Sequence, residues 1–172
     1  PLLAGDRIAI VTNAGGPAIV ATDALSQDGL ALAELAAATR RELRAFLPPE
    51  AAVGNPVDML PSARAEEYRH AVDLVLADRS VDAAVVIAVT PPQGSALEVA
   101  RASAAAASAS GKPVVSVFMT ASSFYPQAHT IAGMPPVYRY PEWGVRALAA
   151  LVRHAEQRPR RRRGVPVVES AT

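Results

Sequence analysis

Arg7-Ile8-Ala9-Ile10-Val11-Thr12, followed at once by Asn13-Ala14-Gly15-Gly16-Pro17, is the stretch on which the reading of this chain turns. The first six residues are mostly apolar and partly β-branched, which suits a buried strand. Two glycines then make a tight turn, and Pro17 suits the first position of a helix, where its missing N–H costs nothing. Ile19, Val20, Ala24 and Leu25 follow at helical spacing until Asp28-Gly29 supplies a glycine stop. Strand, turn and helix in that order open a βαβ unit, with the helix predicted from Pro17 to about Asp28.

The alternation continues outward from that block. Leu30 to Leu35 reads as a second strand, and Thr39 as the cap of a helix through Phe46 that Pro48-Pro49 breaks. Asn55-Pro56-Val57-Asp58 reads as a loop, because the residue before a proline is pushed out of the helical region. A helix from about Ala63 to Ala77 has Tyr68, Val72, Val75 and Leu76 as its buried stripe, and Val81 to Val89 is a fully buried central strand halted by Thr90-Pro91-Pro92. Alanine-rich Ala96 to Ala109 is read as a helix ending at Gly111, with a low-complexity linker as the bland alternative. Val114 to Met119 is a strand, Ser122 to about Thr130 a short helix or lid, and Val137-Tyr138 a last short strand. Pro141 to Arg158 closes the domain, with Trp143, Val145, Leu148 and Leu151 facing inward. Strands alternating with helices predict an α/β fold of three layers, a flavodoxin-like doubly wound parallel sheet of five strands in the order 2-1-3-4-5.

Composition bounds the class. A chain of 172 residues fits one domain, and 51% hydrophobic residues with a net charge of +1 allow a packed core without a strongly basic face for nucleic acid. With no cysteine, disulfides and thiolate chemistry are excluded, and His70, His129 and His154 lie too far apart in sequence to suggest a metal site. No run approaches the ~20 apolar residues of a membrane span and no leader pattern opens the chain, so a cytoplasmic location with no membrane partner is expected. Pro1 to Asp6 reads like the interior of a longer protein entering a strand. Arg158 to Gly164, passing into Val165-Pro166-Val167-Val168, is read as a solvated connector, giving a domain over residues 1–157 and a basic linker or tail over 158–172.

In a parallel open sheet, ligands sit beyond the carboxyl ends of the strands, where the strand order reverses. Thr12, Asn13, Ala14, Gly15 and Gly16 join a strand end to a helix start, so unpaired N–H groups and the positive end of the helix dipole point to one spot. That spot suits phosphate, with Asn13 and Thr12 as possible side-chain donors. A tight βα turn with no ligand is the competing explanation, and the absence of a P-loop Lys or a GxGxxG pattern speaks against ATP or NAD here. Asn55 and Asp58 bring an amide and a carboxylate to the same rim; Asp58 reads as a base or, more commonly for such residues, as the organiser of its loop. No nucleophile–base pair is legible, and no catalytic residue is assigned.

Taken together, RIAIVTNAGGPAIVATDAL, GNPVDM, VDAAVVIAVTPP and RYPEWGVRALAAL resemble the succinyl-CoA synthetase-like flavodoxin domain of nucleoside-diphosphate-forming acyl-CoA synthetases, over about Gly5 to His154. The resemblance implies a part of an enzyme that interconverts acid, CoA and ATP with acyl-CoA, ADP and phosphate through an acyl phosphate and a phosphohistidine. It implies that Asn13 to Gly16 and the helix that follows hold phosphate, and that Asn55, Pro56, Asp58, Thr90 and Pro91 line the acyl and CoA side. CoA, ATP or ADP and Mg would be handled with a CoA-binding domain, a phosphohistidine segment and an ATP-grasp domain outside this sequence. No histidine here matches the phosphorylated one, so the chain is expected to be inert alone. A regulatory domain of a fused protein-lysine acetyltransferase is a rival reading, and a stand-alone FMN module a third.

Overall fold

A computed structural model describes residues 5–90 and 95–161, with side chains through residue 156. The elements run β1 (Arg7–Thr12), α1 (Gly15–Gln27), β2 (Ala31–Leu32), α2 (Ala37–Phe46), β3 (Val57–Asp58), α3 (Ala65–Ala77), β4 (Ala83–Val89), α4 (Ala96–Ser110), β5 (Val114–Met119), α5 (Phe124–Ala128), β6 (Val137–Tyr138) and α6 (Pro141–Arg161). The main path of the sheet is β2-β1-β4-β5-β6, all parallel, which is the doubly wound order expected.

Among the described residues the sheet has six strands where five were expected. The sixth, β3, comes from the segment read as loop, and its Val57 and Asp58 pair in parallel with Val11 and Thr12. The predicted second strand is correspondingly short, pairing only Ala31 and Leu32 with Arg7 and Ile8. Thus β2 and β3 share one edge of β1, β2 at its amino end and β3 at its carboxyl end. Asn55 spans the gap between them. Its Oδ1 accepts from Ile10 N–H at 2.9 Å, and its Nδ2 donates to the carbonyls of Ile8 and Ala33, each at 2.9 Å. A side-chain amide has the same donors and acceptor as a peptide unit, so it supplies the missing rungs.

Alternation along the strands feeds two cores. Ile8 and Ile10 with Ala83, Val85, Ile87, Val115 and Val117 meet Ala18, Ala21 and Leu25 of α1 and Val145 and Leu148 of α6. On the other face Ala9, Val11, Ala84, Val86 and Phe118 meet Leu43 of α2, Tyr68, Val72 and Val75 of α3, and Ala100 of α4. The α3 stripe is the one expected. On α6, Val145 and Leu148 face inward as expected, whereas Trp143 and Leu151 do not, being 51% and 42% exposed. Trp143 instead meets Tyr140 edge to face, with ring centroids 5.2 Å apart.

Helix ends follow local chemistry. Helix α1 begins two residues before Pro17, at Gly15, with Ala14 as its cap, and ends before Gly29, whose φ of +73° glycine adopts without strain. Thr39 does not cap α2; it lies inside that helix, and its hydroxyl donates to Asp78 Oδ2 at 2.7 Å. Helix α4 is capped by Ser95, which accepts from Glu98 N–H at 3.3 Å. The backbone of α6 continues through Arg161, into the segment expected to be the basic linker; residues 162–172 lie outside the described residues.

Candidate functional site

Each helix follows a parallel strand and so begins on the carboxyl side of the sheet. Described residues at the starts of α1, α3 and α4 surround the candidate site. Those starts bring orphan N–H groups and the positive ends of helix dipoles to this part of the rim.

The turn from β1 to α1 is held from below. Asn13 is 4% exposed, and its amide makes two bonds with the main chain at the end of β4: Nδ2 donates to the Val89 carbonyl and Oδ1 accepts from Val89 N–H, both at 2.9 Å. The Thr12 hydroxyl is buried and turned onto Ala14, accepting from its N–H at 3.0 Å and lying 3.1 Å from its carbonyl. Both side chains that sequence reasoning offered as donors to a ligand are thus engaged with the protein's own backbone. Gly15 and Gly16 are exposed, and among the described residues no acceptor meets their N–H groups. Pro17 has no N–H, so these two amides are what the opening turn of α1 presents.

Asp58 joins this corner. Pairing of β3 with β1 brings its Oδ2 to 3.2 Å from where a β-carbon on Gly15 would stand. Its other oxygen, Oδ1, accepts from Leu60 N–H at 3.1 Å, the loop-organising role considered from sequence. Below it, the buried Tyr68 hydroxyl donates to the Ile87 carbonyl at 2.8 Å. Burial, and then the nearby Asp58 charge, push the Tyr68 phenol far above its ordinary value, so it remains a neutral donor.

A cavity of about 460 Å³ opens behind Asn13, between the start of α3 and the start of α4. Thr90, Ser62, Arg64, Ser95 and Glu98 are among its lining residues, and the Thr90 Oγ1 is buried with no hydrogen-bond partner among the described residues. Of the residues expected on the acyl and CoA side, Thr90 lines this cavity and Asp58 stands at the α1 corner. Asn55 is spent inside the β1 edge, Pro56 is half-buried beside it, and Pro91 lies outside the described residues. Sequence reasoning missed Ser62, Arg64 and Glu98; the Ser95-x-x-Glu98 spacing before an apolar helix was the signal available for the last.

No group of three or more His, Cys, Asp or Glu among the described residues could hold a metal ion, and no helix there is long and apolar enough to cross a membrane. His70 is exposed on α3 and stacks on Phe46 with ring centroids 4.4 Å apart, and His129 and His154 are also exposed.

Comparison with known proteins then settles the family. The Ligase-CoA domain model matches residues 8–152. The chain belongs to the Ligase-CoA domain family. The family member is 42% identical over 164 residues to the α subunit of ADP-forming acetate–CoA ligase II of Pyrococcus furiosus, covering 91% of the chain and 35% of that subunit. It is 34% identical to the ADP-forming acetate–CoA ligase I of Archaeoglobus fulgidus, over 87% of the chain and 21% of that protein. Among solved structures, a Pyrococcus horikoshii OT3 protein superposes with a TM-score of 0.85 at 40% identity, over 91% of this chain and 37% of that one. A dinucleotide-forming acetyl-coenzyme A synthetase 1 of Ca. Korarchaeum cryptofilum, solved in complex with phosphate and ADP, superposes with a TM-score of 0.79 at 25% identity, over 96% and 37%. These matches bear out the family resemblance drawn from the sequence. The chain spans between 21% and 37% of the length of each of these relatives.

Proposed function

We propose that this domain supplies the phosphate-holding corner of an ADP-forming acyl-CoA synthetase, which converts acid, CoA and ATP to acyl-CoA, ADP and phosphate through an acyl phosphate and a phosphohistidine. The observation that carries the reading is the opening turn of α1: two exposed glycine amides at the carboxyl rim, with no acceptor among the described residues. Support comes from a relative solved with phosphate bound. Gly15 and Gly16 donate to phosphate oxygens, and the lack of side chains lets the anion approach the backbone. Asn13 keeps that turn against the end of β4, so the phosphate corner and Thr90 move as one body.

The cavity behind Asn13 is the acyl side of the same site, large enough for an acyl group while the bulk of CoA lies elsewhere. The phosphohistidine segment, the CoA-binding domain and the ATP-grasp domain belong to the remainder of the enzyme. Mg with the nucleotide is assigned to that remainder too. The domain alone is inert.

Titration of the isotope-labelled chain with phosphate at constant ionic strength tests the reading. Movement of the Gly15 and Gly16 amide resonances, saturating on the order of millimolar for half of a composite site, is expected. Amides that stay in place while phosphate rises well beyond that range sink it.

A further inference from the structure

Asp58 stands where an anion site would least be expected to keep a carboxylate. It is fixed by β3 pairing with Thr12, by main-chain bonds between Ala52 and Asp58 at 3.0 Å, and by the bond from Leu60 N–H to Oδ1. Oδ2 is left against Gly15, and among the described residues neither a hydrogen-bond donor nor a cationic side chain meets it. A carboxylate can only accept, whereas the amides of Gly15 and Gly16 can only donate. A ligand bridging the two must offer oxygens on one side and a proton on the other.

We infer that Asp58 is a specificity-determining residue that makes the corner select a protonated oxyanion, the hydrogen phosphate dianion, over a fully deprotonated one of the same charge and shape such as sulfate. This rests on the phosphate reading of the α1 turn. Hydrogen phosphate donates its remaining proton to Oδ2 while its other oxygens accept from the glycine amides. Sulfate carries no proton near neutral pH, so it meets Oδ2 with lone pair against lone pair and charge against charge. Arsenate keeps one proton there and is accepted like phosphate. A plainer role for Asp58, as a negative charge that complements the α1 dipole, predicts a modest change in stability on its removal and no change in anion preference.

The test is a set of titrations of the labelled chain with phosphate, arsenate and sulfate, slightly above neutral pH at matched ionic strength, following the Gly15 and Gly16 amides. Phosphate and arsenate are expected to bind about tenfold or more tighter than sulfate, since a hydrogen bond to a charged group is lost and a repulsion gained. In Asp58→Asn, the side-chain carbonyl still accepts from Leu60 N–H while the amide nitrogen can donate, so sulfate should rise level with phosphate. Equal binding of sulfate and phosphate by the unaltered chain overturns the selectivity and leaves the cradle standing, as does a preference that survives in Asp58→Asn. Absence of any anion effect on these amides overturns the cradle itself, and the selectivity with it.

Discussion

Adding one methyl group at Gly16 separates a glycine kept for the fold from a glycine kept for a ligand. A β-carbon at Gly16 meets no atom of the described residues within 4 Å, and this residue is not among those with positive φ. Nothing among the described residues therefore requires glycine there. Gly16 is exposed in the first turn of α1, and alanine is the better helix former by up to about 1 kcal/mol. For a domain of this size that corresponds to a melting temperature unchanged or raised by up to about 4 °C. In the proposed site the same methyl projects into the approach of the phosphate to the two amides, and loss of one good contact reduces affinity about tenfold, near 1.4 kcal/mol. Gly15→Ala is the contrast, because its β-carbon falls 3.2 Å from Asp58 Oδ2 and that carboxylate must shift by a few tenths of an ångström. Thermal melts paired with phosphate titrations of both variants read the two effects separately. A Gly16→Ala chain that melts no lower and binds phosphate as tightly as the parent refutes the argument that ligand approach keeps this position glycine.

Two further perturbations address the frame that holds the corner. Asp78 is 6% exposed; burial pushes its carboxyl up, but bonds from Ser80 N–H, the Thr39 hydroxyl, Ala36 N–H and the Ser80 hydroxyl together hold it down to about 2. A depressed carboxyl contributes stability in full above its unfolded value near 4, and loses it as pH falls toward 2, an amount of about 2 kcal/mol. Asp78→Asn should accordingly lower the melting temperature by roughly 4–8 °C at neutral pH, and the gap between variant and parent should close on acidification; a gap independent of pH contradicts the assignment. Asn55→Ala strands the Ile10 N–H and the Ile8 and Ala33 carbonyls, and at ~1 kcal/mol or more for each unmade bond the domain should lose about 3 kcal/mol. Chemical denaturation measures that loss, and a cost below 1 kcal/mol would show that water replaces the side chain without penalty.

How much of this was legible in the sequence depends on the distance between partners. The strands β1, β4 and β5 declare themselves as apolar β-branched runs, and glycines at positions 29 and 111 mark helix ends because the backbone there turns left-handed. Right-handed crossovers then leave few orders for the sheet. The division of the β1 edge between β2 and β3 was not legible, because its agent is Asn55, whose partners Ile8 and Ile10 lie 47 and 45 residues away. Trp143 and Leu151 were misplaced for a related reason: helical spacing shows which residues share a face, but the width of the buried face depends on what packs against it from elsewhere in the chain.

The candidate site divides along the same line. The glycine turn could be read locally, since a strand end and a helix start create orphan amides wherever they meet. The duties of Asn13 could not, because Val89 is 76 residues distant and only the β1–β4 pairing brings it within reach. Asp58 is the sharpest instance: as a loop residue after Pro56 it carried two readings, a base or, more commonly, a backbone organiser. The fold uses its two oxygens differently, committing Oδ1 to Leu60 and leaving Oδ2 beside Gly15. A pattern that assigns one role per residue cannot express that division, and it is on this divided carboxylate that the proposed selectivity for a protonated anion rests.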